Sequence, residues 1–147
     1  MVRTEYGGGT MKDTAELLRS RGIQPSHQRI AIYEALASTK AHPSADALRD
    51  ALAPAMPTLS RTTVYSTLEL FAERGLARRL ALTGSELRFD ADVSAHVHFR
   101  CRGCGAVSDL PDAPAPPPPA VPAGYLVEVS QFHAEGLCPD CAARAAT

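Results

Sequence analysis

At 147 residues, with 21% charged and 45% hydrophobic residues, no Trp and a formal charge of -1, the chain has the composition of a soluble globular protein of one domain or two small ones. Only 5% of its residues are aromatic, which argues against a large aromatic-lined ligand pocket, and no apolar run forms a signal-peptide core or reaches membrane length. Residues 1–90 hold 12 Lys+Arg against 10 Asp+Glu, a net of +2, and residues 91–147 hold 3 against 6, a net of -3, a split that permits nucleic-acid binding by the first half without requiring it.

Residues 1–11 read as a flexible extension, with Met11 an alternative start to Met1. Asp13 to Arg21 reads as a short helix carrying Ala15, Leu17 and Leu18 and ending at Gly22. Ser26 is placed to cap a second helix with Ile30, Tyr33, Leu36 and Ala37 as its apolar stripe. The loop through His42-Pro43 leads to Ser44, the cap of a third helix that turns Ala45, Leu48, Ala51 and Leu52 inward and is closed by Pro54 and Pro57. Ser60 caps a fourth helix over residues 61–74, ending at Gly75, with Val64, Leu68 and Phe71 at helical spacing and Arg61, Thr62, Tyr65 and Ser66 on other faces. Alternating apolar residues then predict strands over 76–82 and 86–90, joined by Thr83-Gly84-Ser85. Helices at short separation followed by a hairpin outline a winged helix-turn-helix over residues 12–90. That outline alone leaves a solvated fourth helix as open as a DNA-reading one.

After Asp92 the character changes. Short strands are predicted over 96–100, 106–110 and 125–132, and the proline tract at 111–122 can only be an extended connection. Cys101-x-x-Cys104 and Cys138-x-x-Cys141 form two knuckles that together make a four-thiolate tetrahedron suited to one structural Zn2+. A redox dithiol or a disulfide pair is the alternative, but a redox motif needs no second copy, and a cytoplasmic chain keeps its thiols reduced. His96 and His98, two apart on a predicted strand, project from one face, with Asp109 on the next strand able to fold alongside. With Asp90 and His42 they make a possible N/O shell; taken singly, each also reads as an ordinary surface residue.

These residues together resemble the Fur (ferric uptake regulator) family of metal-dependent repressors. The resemblance runs from about Ala15 to Cys141 and is carried by Gln28-Arg29, His42-Pro43, Thr63-Val64-Tyr65, Arg88-Phe89-Asp90, His96-x-His98-x-x-Cys101-x-x-Cys104, Asp109 and Cys138-x-x-Cys141. It implies an α+β protein: an N-terminal winged-helix DNA-binding domain and a C-terminal α/β dimerisation domain at 91–147 with the four-cysteine zinc site. It further implies a homodimer and a regulatory metal on His42, Asp90, His96, His98 and Asp109. Within the family the chain is most similar to the peroxide-sensing PerR branch, where the last ligand is characteristically Asp, and Ala95 and Val97 stand where Fur proteins carry His and Asp. His27 departs from the family's usual Pro, and the proline tract replaces a helix of the dimerisation domain.

The expectation is therefore a cytoplasmic transcriptional repressor, not an enzyme, that binds an inverted-repeat double-stranded DNA operator when Fe2+ or Mn2+ is bound. Tyr65 is expected to touch bases or thymine methyls, with Arg61 nearby, Ser60 and Thr62 among the DNA-binding residues and Arg19 or Arg21 on phosphates. With Fe2+, peroxide is expected to oxidise His42 or His96 and release metal and DNA. The alternatives are an iron- or manganese-responsive repressor without peroxide chemistry, and a small non-haem metalloenzyme.

Overall fold

A computed structural model describes residues 10–82 and 86–146. The chain divides into two compact units, one ending at Val93 and the other beginning at Ser94.

The first unit holds four helices and a two-stranded sheet: α1 (Met11–Ser20), α2 (His27–Ala37), α3 (Ala45–Leu52), α4 (Arg61–Glu73), β1 (Arg78–Leu80) and β2 (Arg88–Asp90). Each helix opens on a hydroxyl cap. Thr10, Ser26, Ser44 and Ser60 accept from the backbone N–H of Asp13, Arg29, Ala47 and Thr63, satisfying a donor that the first turn leaves unpaired. Thr10 and Asp13 complete a reciprocal capping box, so α1 starts two residues earlier than expected, and Thr10 and Met11 belong to the helix. The rest of the expected extension, residues 1–9, lies outside the described residues, as does the 83–85 turn.

The apolar stripes converge on one core of Leu18, Ile30, Ile32, Tyr33, Leu36, Leu48, Val64, Leu68, Phe71 and Phe89. Tyr33 and Phe71 meet edge to face, their ring centroids 5.6 Å apart. Ala51, expected inward, is exposed, because only Ala45 and Leu48 of α3 are fully covered. β1 and β2 pair antiparallel with Arg78 opposite Asp90 and Leu80 opposite Arg88. Both strands are shorter than their apolar alternation suggested. Arg79 anchors the hairpin to α4 through a bidentate pair with Glu69, at 2.9 and 2.7 Å.

The second unit is a three-stranded sheet of order β4-β3-β5 followed by a helix: β3 (Val97–Cys101), β4 (Val107–Asp109), β5 (Phe132–Gly136) and α5 (Pro139–Ala145). β4 runs antiparallel to β3 and β5 parallel to it. The strand expected over 125–132 is corrected here. β5 begins at Phe132, whose register partner Val97 is the first residue of β3, so residues 125–131 have no β3 counterpart. Helix α5 was not anticipated. Its signals are Pro139 at the first helical position, Asp140 in the first turn and the alanines that follow.

Candidate metal centres and the exposed face of α4

The two cysteine knuckles meet in the second unit. Cys101 ends β3, Cys104 follows in the tight turn to β4, Cys138 is the N-cap of α5 and Cys141 sits in its first turn. All four sulfurs lie within 4.8 Å of one another, and Cys104 and Cys138 are 3.9 Å apart, far beyond a disulfide bond. A tetrahedral zinc with bonds of about 2.3 Å has sulfur–sulfur edges of about 3.8 Å, so the donors and their spacing fit that ion. The Cys138 backbone N–H donates to Cys101 Sγ at 3.3 Å. That bond and a second from the Cys104 backbone draw the Cys101 thiol down to about 6. Cys141 is pushed up to about 12, first by hydrogen bonding with the Cys138 side chain, then by burial and by the thiols of Cys101 and Cys104. Gly103 lets this cluster close: a Cβ there would stand 3.0 Å from Cys141 Sγ and 3.2 Å from Leu137 Cδ2.

Two further groups of acid and imidazole form, one in each unit. In the first unit, His42 Nδ1 lies 3.7 Å from Asp90 Oδ1, and both residues are buried. Asp90 Oδ1 also accepts from the Asp92 backbone N–H at 2.8 Å, which orients the carboxylate. His42 has a left-handed backbone, φ 46°, uncommon outside glycine. In the second unit, His98 faces Asp109 directly across the β3–β4 ladder. His96 Nε2 lies 2.8 Å from His98 Nε2 and 3.2 Å from Asp109 Oδ1, and His98 Nε2 lies 3.8 Å from the same oxygen. The His96 ring is held by its Nδ1 against the Ser94 carbonyl at 2.9 Å, which presents Nε2 to the cluster. Ring nitrogens and a carboxylate that converge this way form a donor set suited to a divalent metal ion.

On α4, Ser60 is engaged as the cap, its Oγ accepting from Thr63 N–H at 3.0 Å. Arg61, Thr62, Tyr65 and Ser66 form the helix's exposed face. Arg19 is exposed on α1. Arg21, also exposed, donates from Nη1 to the carbonyls of Arg74 and Gly75 at 3.3 and 3.4 Å, closing the C-terminus of α4. Sequence reasoning also missed Asp46, which pairs with Arg61, and Gly103, whose only signal is its place inside a knuckle.

Residues 20–115 match the ferric uptake regulator family. The chain belongs to that family. It is 33% identical to the peroxide operon regulator of Bacillus subtilis over 134 residues, covering 89% of this chain and 92% of the other. It is 34% identical to the transcriptional regulator FurA of Mycobacterium tuberculosis over 139 residues, covering 90% and 92%. Among solved structures, Helicobacter pylori Fur shares the fold with a TM-score of 0.68 at 16% identity, covering 91% and 95%. A zinc uptake regulator complexed with zinc and DNA does so with a TM-score of 0.66 at 20% identity, covering 93% and 95%. The relatives are transcriptional regulators and not enzymes, which sets the metalloenzyme alternative aside. Among the described residues no helix is long and apolar enough to cross a membrane.

Proposed function

We propose that this chain is a metal-responsive transcriptional repressor of the peroxide-sensing kind, acting in the cytoplasm as a homodimer on a double-stranded DNA operator. The observation that carries the reading is the convergence of His96, His98 and Asp109, at 2.8 and 3.2 Å, in the unit that follows the His42–Asp90 pair. Imidazoles gathered against carboxylates are a divalent-cation donor set, and each unit holds one such group.

Cys101, Cys104, Cys138 and Cys141 would hold one structural Zn2+ per chain, tying the end of β3 to α5. His42, Asp90, His96, His98 and Asp109 would share one regulatory Fe2+ or Mn2+. With His42 and Asp90 on the winged unit and the other three on the second, occupancy favours the interdomain orientations in which all five reach one centre, a population shift. In a dimer, that orientation sets the distance between two α4 helices, which has to match half-sites about one DNA turn apart. The exposed face of Arg61, Thr62 and Tyr65 supports α4 as the reading helix, with Arg19 on the flanking phosphates. Tyr125, Leu126, Val127 and Val129, all exposed in the single chain, support burial against a second copy.

Fe2+, when bound, supplies the one-electron chemistry with peroxide that oxidises an adjacent imidazole. His42 and His96 are the residues expected to gain oxygen, and an oxidised ring is a poorer nitrogen donor, so the clamp between units loosens. The test is mass spectrometry and DNA binding on Fe2+-loaded and Mn2+-loaded protein after low peroxide. Iron-loaded protein should gain one oxygen on His42 or His96 and leave DNA, while manganese-loaded protein stays unmodified and bound. Unmodified histidines and retained DNA binding in the iron form would favour the second reading, an iron- or manganese-responsive repressor, for which the similarity to FurA speaks.

A further inference from the structure

The loop between α2 and α3 carries His42, and three contacts bind that loop to β2. Arg88 Nη1 donates to the His42 carbonyl at 3.3 Å. The Phe89 backbone N–H donates to the Pro43 carbonyl at 3.0 Å. Ser44, the cap of α3, forms an isolated antiparallel bridge with Arg88. Consecutive loop residues 42–44 are thus zipped onto consecutive strand residues 88 and 89, and the next residue of that strand is Asp90, the acid facing His42.

The zipped conformation is not one His42 would choose. Its φ of 46° is left-handed, a state that a non-glycine residue holds only where its surroundings impose it. Phe89 supplies part of that imposition, being fully buried in the core of the first unit. Arg88 supplies the rest at a visible disadvantage. It is half-buried, its Nε–H is enclosed with no acceptor among the described residues, and its charge would repel a cation nearby.

We propose that Arg88 is a positioning residue for the regulatory metal, latching the His42 carbonyl so that the imidazole is held toward Asp90. The inference rests on the reading of His42 and Asp90 as metal ligands, and it goes beyond that reading by adding a residue that touches no metal. Because Ser44 is both the end of the zipped segment and the cap of α3, the same latch ties the ligand loop to the helix that packs against α4.

Sign separates this role from a purely electrostatic one. Removing a positive charge beside a cation site tightens metal binding, whereas removing a latch weakens it. The experiment is Mn2+ titration of full-length, zinc-replete protein, with Arg88→Ala, Arg88→Lys and His42→Ala compared with wild type and the melting temperature recorded for each. Outer-shell residues that orient a ligand are worth about 10- to 100-fold in affinity, so Arg88→Ala should weaken Mn2+ by at least about 10-fold with its melting temperature unchanged. Arg88→Lys, which keeps a donor and the charge, should restore most of the loss. Should Arg88→Ala fail to fold, Arg88→Met, which keeps the aliphatic stem, takes its place. Wild-type or tighter Mn2+ binding in the truncated variant overturns the latch, as does a loss that tracks a falling melting temperature and is not rescued by Lys. If His42→Ala itself binds Mn2+ like wild type, the ligand reading falls and the latch with it.

Discussion

Arg61 Nε lies 2.7 Å from Asp46 Oδ1, so the first residue of α4 is paired with the first turn of α3. The arginine is 74% exposed and the aspartate 38%, and an ion pair that open to water contributes at most about 1 kcal/mol. Its effect is on placement: the pair holds Arg61 to the first turn of α3, and the proposed DNA contact would exchange that anion for another.

On operator DNA, Tyr65→Ala should therefore relax specificity, costing about 1–3 kcal/mol at the base position it reads. Arg61→Ala should weaken all sequences alike and lower the salt slope by about 1 if its DNA contact is a phosphate. Fluorescence anisotropy on matched and mismatched duplexes across a salt series distinguishes the two. Normal specificity in metal-loaded Tyr65→Ala would remove α4 as the reader.

Arg21 and Arg74 close each other's helices. Arg21 Nη1 donates to the Arg74 and Gly75 carbonyls, and Arg74 Nη1 to those of Arg21 and Gly22, at 3.2 and 3.4 Å. Both guanidiniums are solvent-facing, so Arg74→Ala should lower stability by only about 0.5–1 kcal/mol. Gly22→Ala should be worse. Residue 22 has φ 70°, where a side chain costs about 1–2 kcal/mol, and its Cβ would stand 2.6 Å from Arg74 Nη1. Urea midpoints of the two variants give the ordering directly.

Gly103→Ala is a test of the cysteine cluster that leaves every thiol in place. Its Cβ would crowd Cys141 Sγ at 3.0 Å and Cys141 Cβ at 3.1 Å, and overpacking of this kind costs about 1–3 kcal/mol. Zinc should leave this variant at a lower chelator concentration than wild type. Cys138→Ser leaves a favourable N-cap residue on α5 but removes a thiolate, so it should lose zinc together with the fold of the second unit. A folded, zinc-free Cys138→Ser protein would refute the zinc site.

The exposed segment from Tyr125 to Val129 offers a test of the proposed dimer. Leu126 and Val129 are 85% and 74% exposed, in a stretch that begins just after the proline tract. Val129→Glu or Leu126→Glu should yield monomer by sedimentation velocity, because an introduced charge would have to be buried against the partner without compensation. Dimers that survive both substitutions would place the interface elsewhere.

Most of the first unit was legible in the sequence because its signals are local. Ser26, Ser44 and Ser60 announce helix starts within three residues of the groups they satisfy, and Val64, Leu68 and Phe71 mark one face of α4 by spacing alone. The cysteine knuckles were legible for the same reason, each being a four-residue pattern whose partner repeats it. What stayed hidden depends on residues distant in the chain. β5 starts at Phe132 because β3 starts at Val97, although apolar alternation runs on toward Tyr125. Arg21, an expected phosphate contact, also donates to the carbonyl of Arg74, 53 residues away in the chain. The left-handed turn at His42 has only a weak residue signal, His being less averse to that region than most non-glycine residues. It is held by contacts from Arg88 and Phe89, 46 residues on from His42 and Pro43, and a chain position cannot display a partner that folding has yet to bring.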